Sequence, residues 1–278
     1  MSGAPLTVAR ALHQARALGV DRLDAQLILA QLFSQSRSWL LAHDDVALDA
    51  PQADARLALF ARRAAGEPLA YLLGEKEFHG LMLQVDPNVL VPRPDTEVLV
   101  DWAIALLGGA LAARPEPRVI DLGTGSGAIA LAVKQACPAA AMLATDASEA
   151  ALAVARGNAD RFGLDLSFAS GSWWAGLDGR RFDLILSNPP YIAGGDPHLT
   201  ALRHEPTLAL TPGGDGLDAL REIVDTACDH LEPGGWILLE HGFDQADAVQ
   251  ALLREHDFVD IDTRRDLGDQ PRCTGAHR

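Results

Sequence analysis

From Arg118 onward the chain alternates between short apolar runs and helix-period segments, and the first junction is built from glycine. Val119-Ile120-Asp121-Leu122 reads as a strand. It runs into Gly123-Thr124-Gly125-Ser126-Gly127 and then into a helix from Ala128 to about Ala136. The pattern repeats. Residues 141–145 form a strand ending on Asp146, 148–158 are helical, 166–169 are a third strand and 183–187 a fourth. Residues 217–231 are helical, and Pro233-Gly234-Gly235 turns into a fifth strand over 236–240. Short apolar strands alternating with helices predict an α/β architecture, a parallel sheet with helices on both faces.

The chain before this point has a different texture. Residues 1 to about 65 predict short helices, with Leu6, Ala9, Leu12 and Ala15, then Leu23, Leu27 and Ala30, at helical spacing. Pro51 predicts another helix with Leu57 and Phe60 on its face. Arg10 and Arg16 without an acid in the first twenty residues faintly resemble a transit peptide, but Asp21 and Asp24 follow within the same period, which predicts a surface helix. His13 and His43 stand alone and read as surface or capping residues. Two short runs around Gly80 predict a β-hairpin. Val91-Pro92-Arg93-Pro94-Asp95-Thr96-Glu97 then holds the backbone extended until Val98, Leu99, Trp102 and Leu106 restore helical spacing. The organisation expected is a helical domain over 1–73, a hairpin linker over 74–91 and an α/β domain over 92–278.

Composition narrows the function. A net charge of −15 argues against an enzyme that grips a nucleic-acid duplex through its phosphates. Cys137, Cys228 and Cys273 are too far apart for a disulfide framework or a zinc spacing, so a reducing compartment and no metal are expected. No apolar run is long enough to span a bilayer, and a cytoplasmic enzyme with no membrane partner is expected.

In an open α/β sheet, ligands lie beyond the carboxyl ends of the strands. Gly123, Gly125 and Gly127 allow a sharp turn and close approach of a ligand, with Thr124 and Ser126 between them. Asp146 ends the next strand, where an acid can take the two ribose hydroxyls of an adenosine group; it can also cap the helix after it. The loop is one residue shorter than the dinucleotide fingerprint and no basic residue follows it, which suits a ligand without phosphates such as S-adenosyl-L-methionine. Asp121 either faces that ligand's ammonium or is a buried acid bonded to backbone. Trp173 and Trp174 follow the third strand, and one of the two indoles can stack on adenine while the other packs.

Asn188-Pro189-Pro190-Tyr191 ends the fourth strand at the same edge. The Asn188 amide oxygen and the Pro189 carbonyl can accept both hydrogens of an NH₂ group, Pro190 stiffens the backbone, and Tyr191 offers a flat face to a planar group. An amide nitrogen is a poor nucleophile because its lone pair is delocalised. Fixing both N–H bonds turns the lone pair toward a methyl donor and stabilises charge growing on nitrogen. The alternative is a proline-rich turn after a strand.

At these residues the chain resembles the HemK-type N5-glutamine methyltransferases. The likeness runs from Glu67-Pro68-Leu69-Ala70-Tyr71-Leu72 through Val91-Pro92-Arg93-Pro94-Asp95-Thr96-Glu97, the glycine loop, Asp146, Asn188-Pro189-Pro190-Tyr191 and Glu205-Pro206 to Pro233-Gly234-Gly235. It implies a Rossmann-like class I methyltransferase domain behind a helical domain that helps recognise the substrate. The implied substrates are class I peptide chain release factors, methylated on the glutamine of a Gly-Gly-Gln loop in support of translation termination. S-adenosyl-L-methionine is the implied cofactor and S-adenosyl-L-homocysteine the product. Gly123, Thr124, Gly125, Ser126, Gly127, Asp146, Trp173 and Asn188 are implied as cofactor contacts, and Asn188, Pro189, Pro190 and Tyr191 as the substrate clamp, with Asn188, Pro189 and Tyr191 catalytic. The family's pattern also has a closing strand after Arg272, where Cys273 to Arg278 is short and weakly apolar, so the closure of the sheet is left open. Two other readings stand beside this one. The Asn-Pro-Pro-Tyr motif is shared with enzymes that methylate exocyclic amines of nucleic acids, although residues 1–65 are not rich in Lys or Arg. A noncatalytic cofactor-binding module would not need the clamp.

Overall fold

The computed structural model describes residues 6–278, which divide into two compact units, residues 6–74 and 75–278. The first is all-helical: α1 (Val8–Ala17), α2 (Arg22–Leu32), α3 (Arg37–Ala42), α4 (Ala50–Ala64) and α5 (Leu69–Leu73). Polar side chains set the starts. Thr7, Asp21 and Ser36 cap the first three helices, and Asp49 and Gln52 form a reciprocal capping box on α4 beside Pro51. The buried stripe overlaps the expected one only in part: Ala15 and Ala30 are inside, and Leu6 and Leu12 pack on the core. Val8, Ala11 and Ala15 are buried in α1 and Ala25, Ile28 and Leu29 in α2, whereas Ala9, Leu23 and Leu57 face solvent. Alanine and leucine are so frequent here that two stripes fit the helical period, and the one holding the bulkier β-branched residues is inside. Phe60 is fully buried as expected. His43 stacks on Trp39 at 4.4 Å and bonds its carbonyl through Nδ1, closing α3.

The second unit opens with the hairpin β1 (Glu75–Phe78) and β2 (Leu81–Gln84), then α6 (Glu97–Gly108). The sheet follows: β3 (Arg118–Leu122), α7 (Ala128–Ala136), β4 (Ala141–Asp146), α8 (Glu149–Phe162), β5 (Ser167–Ser170), β6 (Phe182–Ser187), α9 (Asp218–Ala227), β7 (Leu231–Glu240), α10 (Ala246–Glu255), β8 (Val259–Arg265) and β9 (Pro271–His277). Its seven strands lie in the order β5-β4-β3-β6-β7-β9-β8. The five from β5 to β7 are parallel, while β9 is antiparallel to both β7 and β8. The sheet is therefore mixed rather than parallel. Helix α9 also stops at Ala227, short of the expected residue 231, because Leu231 already pairs with Phe182 in the sheet.

Cys273 to His277 do not fray an edge. Strand β9 is threaded between two neighbours, with Cys273, Thr274, Gly275 and Ala276 buried. Small residues are required there: a Cβ on Gly275 would lie 2.4 Å from Leu238 Cδ2 and 2.7 Å from Trp102. The weak hydropathy of this stretch reflects close packing, and the exposed edge is β8, which carries Asp260, Asp262, Arg264 and Arg265.

Alternate residues of the strands feed two cores. Val119, Met142, Leu184, Leu186 and Leu238 pack with α6, α7 and the hairpin. Ile120, Leu143, Ile185, Ile237 and Leu239 pack with α9 and α10. The chain enters at β3, runs outward to β5 and returns to β6, so the strand order reverses between β3 and β6. A crevice opens at their carboxyl ends. Among the described residues no helix is long and apolar enough to cross a membrane.

Candidate active site

The ends of β3, β4 and β6 are level, Leu122 being opposite both Thr145 and Ser187. This places the glycine loop, Asp146 and Asn188 at one edge, around a cleft of about 620 Å³. Gly123, Gly125 and Gly127 all have positive φ, at 73°, 55° and 83°, which side chains with a Cβ rarely adopt. Four of the loop's five amides are already used. Gly123 and Thr124 N–H donate to the Thr145 carbonyl at 2.9 and 2.8 Å, Gly125 N–H to Asp146 Oδ2 at 2.9 Å, and Gly127 N–H to the Thr124 carbonyl at 2.9 Å. A diphosphate needs such amides pointing outward, so this loop fits an uncharged or cationic ligand group better than a phosphate.

Asp146 also accepts from Ser148 N–H at 2.8 Å, while Ser148 itself caps α8. A carboxylate has about four lone-pair sites, so Asp146 retains capacity to accept from a hydroxyl. Burial pushes its pKa up, against the pull of the Ser148, Gly125 and Ala147 amides. Behind the loop, Asp121 is fully buried. Its Oδ2 accepts from Thr124 Oγ1 at 2.6 Å, and Oδ1 has no partner. Burial lifts its pKa to about 7. An orphaned carboxylate oxygen beside a ligand loop is what an ammonium would satisfy.

The two tryptophans separate. Trp173, held at φ 46°, lines the cleft with its ring 3.4 Å from where a Gly123 Cβ would stand. Trp174 turns away, stacks on His230 at 4.3 Å and donates Nε1–H to the Ile223 carbonyl at 3.0 Å.

Asn188 and Pro190 line the cleft; Pro189 is buried. The Nδ2 of Asn188 donates to Thr96 Oγ1 at 3.2 Å, and no side chain among the described residues bonds its Oδ1. Tyr191 is placed behind rather than in the cavity wall. Its hydroxyl donates to Glu240 Oε1 at 3.3 Å and its carbonyl accepts from Gln245 Nε2 at 3.0 Å. Burial and the Glu240 carboxylate raise its pKa.

The Pro-Arg-Pro-Asp-Thr-Glu segment, to which the sequence assigned no individual roles, ties this edge together. Arg93 pairs with buried Glu205, which also accepts from Val91 N–H at 3.1 Å; Asp95 meets Arg272 at 3.4 Å; Glu97 accepts from His79 N–H at 3.3 Å. Among the described residues Arg93 is the one cation lining the cleft, which also carries Asp146, Asp218 and Glu222 on its lining. Glu240 carried a sequence signal in being a lone acid at the ligand end of a buried strand. Asn158 carried none. It is fully buried on α8, bonds both Gln84 N–H and Gln84 carbonyl, and donates to the Ser126 carbonyl at 2.9 Å, joining hairpin to glycine loop.

Comparison with known proteins bears on the family and the fold. A PrmC N-terminal domain matches residues 6–74 and a methyltransferase small domain matches residues 96–215. The release factor glutamine methyltransferase of Bordetella pertussis is 49% identical over 93% of this chain and 96% of its own length. That of Burkholderia pseudomallei is 47% identical over 98% and 96%. Among solved structures, the Thermus thermophilus 16S rRNA N2 G1207 methyltransferase, in complex with AdoMet and guanosine, superposes with a TM-score of 0.55 at 20% identity, covering 73% of this chain and 49% of that one, a likeness of fold. Identity of this order across both units, from the helical domain to β9, makes the chain a member of the release factor glutamine methyltransferase family.

Proposed function

We propose that this enzyme methylates the side-chain amide nitrogen, N5, of the glutamine in the Gly-Gly-Gln motif of class I peptide chain release factors, in the cytoplasm. The observation that carries the reading is the polarity of Asn188: its NH₂ is spent on Thr96, which leaves Oδ1 to accept a hydrogen from an incoming amide. The Pro189 carbonyl would take the second hydrogen. Two fixed acceptors hold the planar NH₂ group, turn its lone pair toward the donor and offset the positive charge that grows on nitrogen. The nitrogen's proton becomes acidic as the N–C bond forms and leaves to solvent, so no strong base is needed in contact with it.

The cleft fits S-adenosyl-L-methionine. Bound there, the cofactor supplies a methyl group on a sulfonium and departs as S-adenosyl-L-homocysteine. Trp173 gives adenine a flat face, Asp146 the ribose hydroxyls an acceptor, Arg93 the carboxylate a cation and Asp121 Oδ1 the ammonium an anion. Gly123, Thr124, Gly125, Ser126 and Gly127 form the floor. The names of the relatives support release factors as substrate. The helical unit over residues 6–74 is proposed to recognise the factor's surface away from the glutamine.

The test is mass spectrometry of a release factor incubated with enzyme and S-adenosyl-L-methionine. One added methyl group on the Gly-Gly-Gln peptide, absent when that glutamine is replaced, is expected. Methylation of RNA or DNA with none on the factor would overturn the reading.

A further inference from the structure

The acceptor clamp is stiff but cannot hold itself. Proline has no N–H and a φ fixed at about −65°, and the residue before a proline is kept extended. Asn188, Pro189 and Pro190 therefore move as one short rod, and neither proline can donate a hydrogen bond to anchor it. The direction of the Pro189 carbonyl is set at the ends of the rod. Upstream, Asn188 Nδ2 is tied to Thr96. Downstream, the Tyr191 carbonyl accepts from Gln245 Nε2 at 3.0 Å, across 54 residues of sequence. Ile192 N–H donates to the Leu210 carbonyl at 3.0 Å, but Leu210 belongs to the same β6–α9 connection and gives it no outside reference. The Tyr191 hydroxyl reaches Glu240 at 3.3 Å through the ring rather than the backbone. The Gln245 bond is what ties the backbone here to a different element.

We propose that Gln245 is a positioning residue for methyl transfer: it locks the downstream end of the clamp and so aims the Pro189 carbonyl at the acceptor amide. Its own polarity is unambiguous. Oε1 accepts from Gly242 N–H at 2.8 Å, and Gln245 N–H donates to the Gly242 carbonyl at 2.9 Å, closing the turn before α10. A backbone N–H only donates and a backbone carbonyl only accepts, so the amide has one orientation, with Nε2 toward Tyr191. Gly216 closes the other side. It is buried at φ 85°, and a Cβ there would press on the Tyr191 carbonyl oxygen and sit 3.0 Å from Ala193 N and from Gln245 Nε2. The carbonyl is thus held between a donor and a wall. This inference rests on the function proposed above.

Two tasks meet in this side chain, and substitution separates them. Gln245→Glu keeps an oxygen for Gly242 N–H, and a negative charge at the start of α10 suits the helix dipole. It removes the Nε2 donor and sets a second acceptor against the Tyr191 carbonyl, so the turn survives while the clamp loses its anchor. Gln245→Met fills the same space and makes neither bond. Gly216→Ala leaves Gln245 in place and displaces the carbonyl from the opposite side. Neither Gln245 nor Gly216 lines the cofactor cleft, so cofactor binding should be spared.

The experiment measures kcat and KM on an intact release factor at saturating S-adenosyl-L-methionine, with cofactor Kd by calorimetry and Tm, for each full-length variant. Gln245→Glu should keep Tm at or above wild type, Kd within about twofold and KM for the factor nearly unchanged. Its kcat should fall by about 10- to 100-fold, the scale of a misplaced reacting group. Gly216→Ala should show the same split. Should Gln245→Glu fold poorly, Gln245→Met decides the matter at a temperature where it is folded, with the same loss of kcat expected. Wild-type kcat in a folded Gln245 variant, or a loss that merely tracks the unfolded fraction, would overturn this inference and leave the substrate reading standing. A wild type that never methylates the factor would overturn the substrate reading and this inference with it.

Discussion

Asn188 Nδ2 and Thr96 Oγ1 are 3.2 Å apart across 92 residues of sequence. The loop after β6 is thus oriented by the turn before α6, and the two most distinctive motifs of the second unit are halves of one device. Asn188→Ala removes the acceptor and the contact together. It should lower kcat by about 100-fold or more, read as single-turnover methyl transfer at saturating cofactor. Asn188→Asp keeps an acceptor but cannot donate to Thr96, and should fall between. A near-wild-type alanine variant would defeat the clamp mechanism.

The tryptophans give a paired prediction. Trp173→Ala should weaken cofactor binding by about 1–2 kcal/mol, the value of one ring stacked on a base, with little change in Tm. Trp174→Ala should leave cofactor affinity near wild type and lower stability by roughly 2–4 kcal/mol, somewhat below a full core deletion, since it loses the His230 stack and the Ile223 bond. Calorimetry and denaturant unfolding on both variants would check this. The reverse pattern would exchange their roles.

Why some of this was readable beforehand and some was not follows from the range of the interactions. The glycine loop, Asp146 and Asn188 sit at ends of strands whose period and punctuation are local, so their meeting at one edge follows from α/β topology. Strand β9 was not readable as an inner strand, because its burial rests on Gly275 fitting between Leu238 and Trp102, a contact among three distant segments. The hydroxyl of Tyr191 is claimed by Glu240, which no spacing announces. In α1 and α2 the period was right and the face only partly so: Ala15 and Ala30 are buried and Leu6 and Leu12 pack on the core, while Ala9 and Leu23 are exposed, since alanine marks no particular face.

Asn158 offers a test of structural cost away from the chemistry. Asn158→Ala leaves Gln84 N–H, Gln84 carbonyl and Ser126 carbonyl without their partner in a buried setting. At about 1–3 kcal/mol per buried group left unpaired, with some relief from entering water, a loss on the order of 3 kcal/mol is expected in urea unfolding. A loss below about 1 kcal/mol would mean that the hairpin is held elsewhere.

Arg93 is tested by a ligand that lacks what it should hold. The double variant Arg93→Met with Glu205→Gln, which leaves no unpaired carboxylate buried, should lose about 1.5–3 kcal/mol of affinity for S-adenosyl-L-homocysteine, the scale of hydrogen bonds to a charged group. Binding of methylthioadenosine, which has no amino-acid end, should be unchanged. Equal losses for both ligands would show a distorted cleft rather than a lost carboxylate contact.

The last prediction concerns Asp121 and pH. In the free enzyme its carboxyl titrates at about 7 because burial disfavours the charge, with the nearby Asp146 adding to the shift and the Thr124 hydroxyl and Ala130 amide opposing it. The unfolded chain gives up the same proton near the ordinary aspartate value of about 4. Between about pH 4 and pH 7 the folded state therefore binds more protons, so stability falls as pH rises through that window and levels off above it. An ammonium placed at Oδ1 reverses the preference by favouring the carboxylate. Cofactor binding should then expel a proton below pH 7, and affinity should rise with pH up to about 7 and flatten beyond. Glu240 titrates in the same range but lies on the acceptor side, so Asp121→Asn separates the two: it should abolish the proton release and flatten the affinity profile. Calorimetric titrations near pH 6 in two buffers of different ionisation enthalpy read the proton directly. Equal heats in both buffers for wild type, or undiminished release in Asp121→Asn, would remove the ammonium from Asp121 and leave it a buried acid serving the loop through Thr124.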